Sequence, residues 1–213
     1  MATAAAAAFT ITAPPSTDIW RKPPTHAALS APFAHLSRGP LRSLRRARLT
    51  ATLPRPLARL IRYDQAGLFL AIAPPGADLH CEAQARAARW VKAGVEVVDH
   101  EAWVSTVGCE TWSDASLVPW GAVGASEDGA LKLTVEMERE EGGKALCVYL
   151  CVPATDGEGE TRVPLREVTW WFADEEGAWE VSVAAYAARP GSKDGDGEEG
   201  LDAEFEGLEV EWV

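Results

Sequence analysis

The chain has 213 residues, 47% of them hydrophobic, with nine tryptophans and a formal net charge of −12. That composition allows a substantial core, and no apolar run reaches the roughly 18 residues a membrane helix needs, so a soluble protein with no membrane partner is expected. Charge is uneven: through Arg62 there are ten Lys or Arg against the single acid Asp18, leaving ten bases against thirty-one acids afterwards. The basic part contains strand-like segments, so its charge is expected to neutralise the acidic remainder, and no nucleic-acid partner is expected.

Residues 1–8 read as a loose N-terminus without the basic stretch of a secretory leader, and residues 9–12 as a first strand. The stretch APPSTDIWRKPP carries Pro14, Pro15, Pro23 and Pro24, which remove donors and fix φ, so a pinned, irregular arm anchored by Trp20 is expected. A loop is expected over 32–40 and a strand over 46–53, ended by Pro54 and Pro56. After a strand at 65–73, residues 74–88 read as a surface insertion whose alanine-rich half suits a short helix.

The segment from Arg89 alternates strictly. Val91, Ala93, Val95 and Val97 face one way, and Trp90, Lys92, Gly94 and Glu96 the other, because strand side chains change face at every residue. The next hairpin turns at Asp99-His100, where two-residue turns want positive φ and usually carry Asn-Gly or Asp-Gly. Trp112, Asp114 and Trp120 fall in or beside loops. Strands are expected over 130–139, 145–152, 163–173, 178–188 and 201–213, with an acidic flexible loop over 190–200. Roughly ten or eleven strands with turn signals every 8–15 residues predict an all-β sandwich, as one domain over 1–213.

Cys147 and Cys151 share a predicted strand in which four residues span roughly 13 Å, beyond the roughly 7 Å limit of a disulfide. With Cys81 and Cys109 they read as reduced thiols of an intracellular protein. Nucleophile-elbow, phosphate-loop and dinucleotide signatures are absent. The run VEMEREE puts Glu136, Glu138 and Glu140 on one face; paired carboxylates serve glycosidases, but charges on an edge strand more simply keep it soluble, and a solvated face is expected. KDGDGEEG presents Asp194, Asp196 and Glu198 at alternate positions, yet Glu199 and Phe205 stand where a calcium loop needs Gly and Glu. No metal and no cofactor are expected.

The polar face of the strand at 65–73 and of the strand that starts at Arg89 is the candidate site. Lys92 and Glu96 flank Gly94, and Gln65 stands beside Gly67 on the neighbouring strand. Trp112 and Trp171, next to polar faces, are candidate stacking platforms, with Asp114 beside the first. Asp64 is a second-tier candidate because it points to the opposite side from Gln65, and Tyr63 joins it.

Seven stretches carry a resemblance to a known family: FTITAPPSTDIWRKPP, YDQAGLFL, WVKAGVEVVD, TWSDASL, PLREVTWWF, AAYAARP and GLEVEW. Spanning nearly the whole chain in order, they resemble the domain-of-unknown-function family with a concanavalin A-like lectin/glucanase fold that includes regulation-of-enolase type proteins. The resemblance implies a jelly-roll sandwich of two antiparallel sheets, one concave, and carries no catalytic residue. Two departures stand out, the insertion at 74–88 and His100 in place of a turn glycine. It further implies a non-catalytic cytoplasmic binding or regulatory protein, linked to carbohydrate metabolism through an enolase-like partner. The other class is a glycan-binding lectin-like protein, or a glycoside hydrolase or lyase, using the concave face. Glu96 beside Lys92 suits an acceptor better than a proton donor, because a nearby cation lowers a carboxylate's pKa, which favours binding over turnover.

Overall fold

A computed structural model describes residues 7–54, 59–122, 130–154, 159–191 and 199–213. The calcium-like positions Asp194, Asp196 and Glu198, most of the expected acidic loop and residues 1–6 lie outside the described residues. No helix among the described residues is long and apolar enough to cross a membrane.

Two six-stranded antiparallel sheets form the expected sandwich. The first runs in the order β1 (Phe9–Ala13), β14 (Leu201–Trp212), β5 (Leu44–Leu53), β10 (Leu131–Arg139), β11 (Leu146–Pro153), β12 (Glu160–Val168). The second runs β4 (Phe33–Pro40), β13 (Glu180–Ala188), β6 (Gln65–Ala73), β7 (Arg89–Val98), β8 (Glu101–Cys109), β9 (Ser113–Pro119). The period-2 pattern decides which side chains meet between them: Leu68, Leu70, Val91, Val95 and Val97 point inward against Leu49, Leu133, Val135 and Val148.

Strand β6 is buried at every residue, so both of its faces are covered. On the outer side Phe69, Ala71, Trp90, Val107 and Tyr186 form a second apolar cluster with Ile19, Ala31, Ala77, Leu79 and Ala88. The expected irregular arm supplies part of that cover. It forms a two-stranded sheet of β2 (Ile19–Lys22) and β3 (His26–Leu29), and its anchor is the fully buried Ile19, with Trp20 only half-buried. The insertion at 74–88 forms the short helix α1 (Glu82–Ala87) and buries Ala77, Leu79 and Ala88 on the same face. The stretch 33–40 is strand β4 rather than a loop, because its backbone pairs along β13.

The outer face of the first sheet neutralises charge. Arg46 meets Glu136, Glu209 and Glu211 at 2.8, 3.4 and 3.4 Å, Arg48 meets Glu160 at 2.7 Å, and Arg162 meets Glu136 at 2.9 Å. This corrects the expectation for VEMEREE: β10 is an interior strand between β5 and β11, and Glu136 is buried among three guanidiniums rather than solvated. All four cysteines are free.

Candidate functional site

Alternation and register together build the outer face of the second sheet. Gln65 lies opposite Glu96 and Phe69 opposite Lys92, while Gly67 pairs with Gly94 between them. Across β7 and β8, Gly94 faces Ser105 and Glu96 faces Trp103. Tyr186 of β13 sits beside Gly67. The glycines are obligatory here: a Cβ on Gly67 would stand 2.1 Å from the Ala93 oxygen, and one on Gly94 2.0 Å from the Ala66 oxygen. Three sequence candidates, Gln65, Lys92 and Glu96, therefore share one face, with Lys92 Nζ donating to Gln65 Oε1.

That face is not open. Lys92 and Gln65 are each 2% exposed, because the arm runs across the strands like a strap. At one end Thr17 N donates to the Arg189 oxygen (3.1 Å) and Arg189 N to Thr17 Oγ1 (3.0 Å). In the middle Gln65 Nε2 reaches Asp18 Oδ1 at 3.5 Å. At the far end Arg21 N donates to Ser113 Oγ at 2.8 Å, and its guanidinium to the Ala88 oxygen at 3.0 Å. Burial pushes the Lys92 ammonium below its ordinary pKa against the pull of Glu96 and Asp18. Burial likewise raises the Asp18 carboxyl, with Lys92 opposing it. Tyr186, whose ring lies 5.8 Å from Lys92 Nζ, is held well above its ordinary value by burial and then by Glu96 and Asp18.

The second-tier pair leaves this face. Asp64 points the other way, as its neighbour's orientation requires, and is fully buried in a bidentate ion pair with Arg189 (2.9 and 2.6 Å). Tyr63 sits at φ 71° in the turn before β6, exposed beside Arg62.

The tryptophan candidates separate as well. Trp171 is 0% exposed and packs in the core between the sheets, a correction with a simple cause: the strand expected to run to 173 ends at Val168, and the following turn carries Trp171 inward. Asp114 lies opposite Gly108, which lies opposite the core residue Val91, so it too is off the outer face. Asp114 instead makes a close ion pair with Arg166 of β12. Arg166 also donates to the Asp114 oxygen at 3.0 Å and reaches Ser116 Oγ at 3.5 Å. Trp112, 42% exposed, stands over a groove of about 410 Å³ where the edge strands β9 and β12 meet, lined also by Trp170, Glu110 and Glu167. Two polar constellations thus replace the single expected face, a closed one under the strap and an open one at the rim.

Sequence reasoning missed Asp18, Ser105, Tyr186, Arg166 and Trp170. Tyr186 had a signal, since AAYAARP places it in phase with Ala184 and Ala188 on one strand face; Asp18 and Arg166 gain their partners only through the packing of distant segments.

The chain belongs to the family described as protein of unknown function (DUF1349), whose model matches residues 2–212. It is 37% identical over 194 residues to an uncharacterized protein of Emericella nidulans, covering 89% of this chain and 81% of that one. Among solved structures it is similar to a functionally unknown protein from Saccharomyces cerevisiae (TM-score 0.64, 20% identity, 100% of this chain and 90% of that one). It is also similar to the alginate lyase Aly36B in complex with alginate trisaccharide (TM-score 0.50, 10% identity, 96% and 81%). At these identities the two structural likenesses speak for the jelly-roll fold.

Proposed function

We propose that this protein is a non-catalytic carbohydrate-binding protein of the cytoplasm, with the rim groove as its contact site. The observation that carries this reading is Trp112, a large aromatic held half-exposed at a groove that also offers the Asp114–Arg166 pair and the hydroxyls of Thr111 and Thr169. An apolar ring face beside directional polar groups is what a pyranose needs, since its C–H face stacks while its hydroxyls hydrogen-bond. The four free thiols support a reducing compartment. Regulation of an enolase-like partner rests on the family resemblance alone, and no contact surface argues for it over a sugar.

The strap argues against turnover at the outer face. Hydrolysis of a glycoside needs two carboxylates on either side of a bound linkage. Here Asp18 belongs to the strap, Lys92 and Gln65 lie beneath it, and Asp64 is locked to Arg189. The hydrolase or lyase alternative keeps one supporting observation, the raised Asp18 carboxyl near Lys92 and Glu96, as a general acid requires.

A glycan array with the purified protein tests the reading. Binding to a defined saccharide class that drops at least about tenfold in Trp112→Ala is expected, with the folded circular-dichroism spectrum kept because the ring is half-exposed. Binding indifferent to Trp112 would sink it. Release of reducing ends that disappears in Glu96→Gln or Asp18→Asn would move the protein to the enzyme class.

A further inference from the structure

We infer that the closed face beneath the strap is a second ligand site, for a small monocarboxylate, and that the strap fills it with a carboxylate of its own, Asp18, until a free one displaces it. The rim groove takes no part, so this inference stands or falls apart from the sugar reading. The polar groups beneath the strap are offered more than the strap accepts. An ammonium has three protons to donate, yet buried Lys92 gives one to Gln65 Oε1 and makes no ion pair among the described residues. Ser105 stands opposite Gly94 on the same face, 3% exposed, with its hydroxyl unpartnered among the described residues. Buried polar groups short of partners cost free energy. Elsewhere the cover is apolar, with Ile19, Phe69 and Trp90 in one cluster, and no such cost arises.

Asp18 fills the place poorly because it is tied to the strap's own backbone. Its Oδ1 accepts from Ile19 N at 2.7 Å and from Gln65 Nε2 at 3.5 Å, and it stops short of the Lys92 ammonium. Burial holds its carboxyl above the ordinary value despite Lys92. A free carboxylate has no tether, so its two oxygens can take protons from Lys92 and the Ser105 hydroxyl together, in the stronger, charge-assisted kind of hydrogen bond. Charge sets the class as well. A monocarboxylate replaces the one negative charge that leaves with Asp18, whereas a dianion would add repulsion against Glu96, which lies opposite Gln65 on the same face. Gly67 and Gly94 put no side chain between the pair Gln65 and Glu96 and the pair Phe69 and Lys92, which leaves the middle of the face clear for Lys92 and a ligand. The strap is also built to leave as a unit. β2 and β3 form a two-stranded sheet of their own, and Ser30 N on the Asp18 oxygen (2.9 Å) and Asp18 N on Ser30 Oγ (3.0 Å) close the hairpin internally. Lifting it breaks the ties at Thr17 and Arg21 and uncovers Ile19, while both six-stranded sheets keep their ladders.

The test is titration calorimetry of the full chain with sodium glucuronate, sodium lactate and, as the uncharged control, glucose, alongside hydrogen exchange of the strap amides over 17–22. Carboxylate is expected to bind and glucose not, with exchange over 17–22 speeding up on binding while β6 and β7 keep their protection. Asp18→Asn keeps the side chain's shape and removes the competing charge, so it is expected to tighten the carboxylate at least about tenfold. Lys92→Met is expected to weaken it by as much, and Ser105→Ala by less. Binding of glucuronate supports the site with a sugar acid as its ligand, and binding of lactate alone supports it with a small hydroxy acid. Affinity unchanged in Lys92→Met, or strap exchange unmoved by ligand, would mean a carboxylate held elsewhere and overturn the inference. Glucose bound as well as glucuronate, no tightening in Asp18→Asn, or no binding of either carboxylate by that variant would overturn it too.

Discussion

Lys92 places an ammonium beneath the strap in the middle of an interior strand, where it donates to Gln65. Ser105, one strand over, is 3% exposed with its hydroxyl unpartnered among the described residues. An ammonium buried against the neutral Gln65 carries a desolvation cost that an apolar residue of similar length avoids, so Lys92→Met should stay within about 1 kcal/mol of the wild type at pH 7. The pH dependence is the sharper readout. Folding lowers the Lys92 pKa below its ordinary 10.5, so in the window just below 10.5 the unfolded chain binds the extra proton and stability rises with pH. Urea unfolding from neutral pH towards 10.5 should show the wild type gaining on Lys92→Met; parallel curves would mean that Lys92 titrates normally. The alternation that put Gln65, Lys92 and Glu96 on one face was legible in the sequence because it is local. That the face is roofed was not, because Asp18 reaches Gln65 across 47 positions.

At the scale of single elements, the hairpin of β7 and β8 shows how far turn chemistry carries. Asp99 and His100 sit at φ 51° and 65°, the two positive values a tight primed turn demands, and Val98 pairs with Glu101 around them. A residue with a Cβ is strained there, so His100→Gly is expected to stabilise the protein by about 0.5–1 kcal/mol in thermal or urea unfolding; a loss would mean that the exposed imidazole makes a compensating contact. Most strands were similarly readable, β6 to the residue. The misreadings share one cause, since β2, β3 and β4 lie beside or between prolines (Pro23, Pro24 and Pro32) and gain strand geometry only from the partners they pair with or lie across. Trp171 was misplaced because the end of β12 is set by how the turn packs into the core, which periodicity does not record.

Across the whole molecule, Arg189 ties several segments together. Its guanidinium grips Asp64 on both oxygens and donates to the main-chain oxygens of Glu199 (2.8 Å), Gly200 (3.4 Å) and Arg59 (3.4 Å), while its own backbone holds Thr17 of the strap. Truncating one partner of a buried pair strands the other charge at a cost of roughly 3–5 kcal/mol. Arg189→Met should therefore lose about that much in urea unfolding, and pairing it with Asp64→Leu should restore a substantial part. An effect below about 1 kcal/mol would show the pair to be incidental. The all-β sandwich itself was legible from the spacing of turn signals and apolar alternation, but the order of strands in each sheet was not, since sequence spacing says nothing of which edges meet.

The strap and its neighbour β1 are made before anything they dock on. Phe9 pairs with Phe205, and Thr17 waits for Arg189, 172 positions further along. On a ribosome, the first thirty residues emerge with their partners still untranslated, so the sandwich closes only once its last strand is released, and loop closure over such separations is what slows folding. Ile19 can meet Phe69 and Trp90 once β6 and β7 are made, but the Thr17 end of the strap has no anchor until Arg189. The segment that roofs the outer face is thus made ahead of every strand it covers, and the seating of its Thr17 end waits for the residue that follows β13.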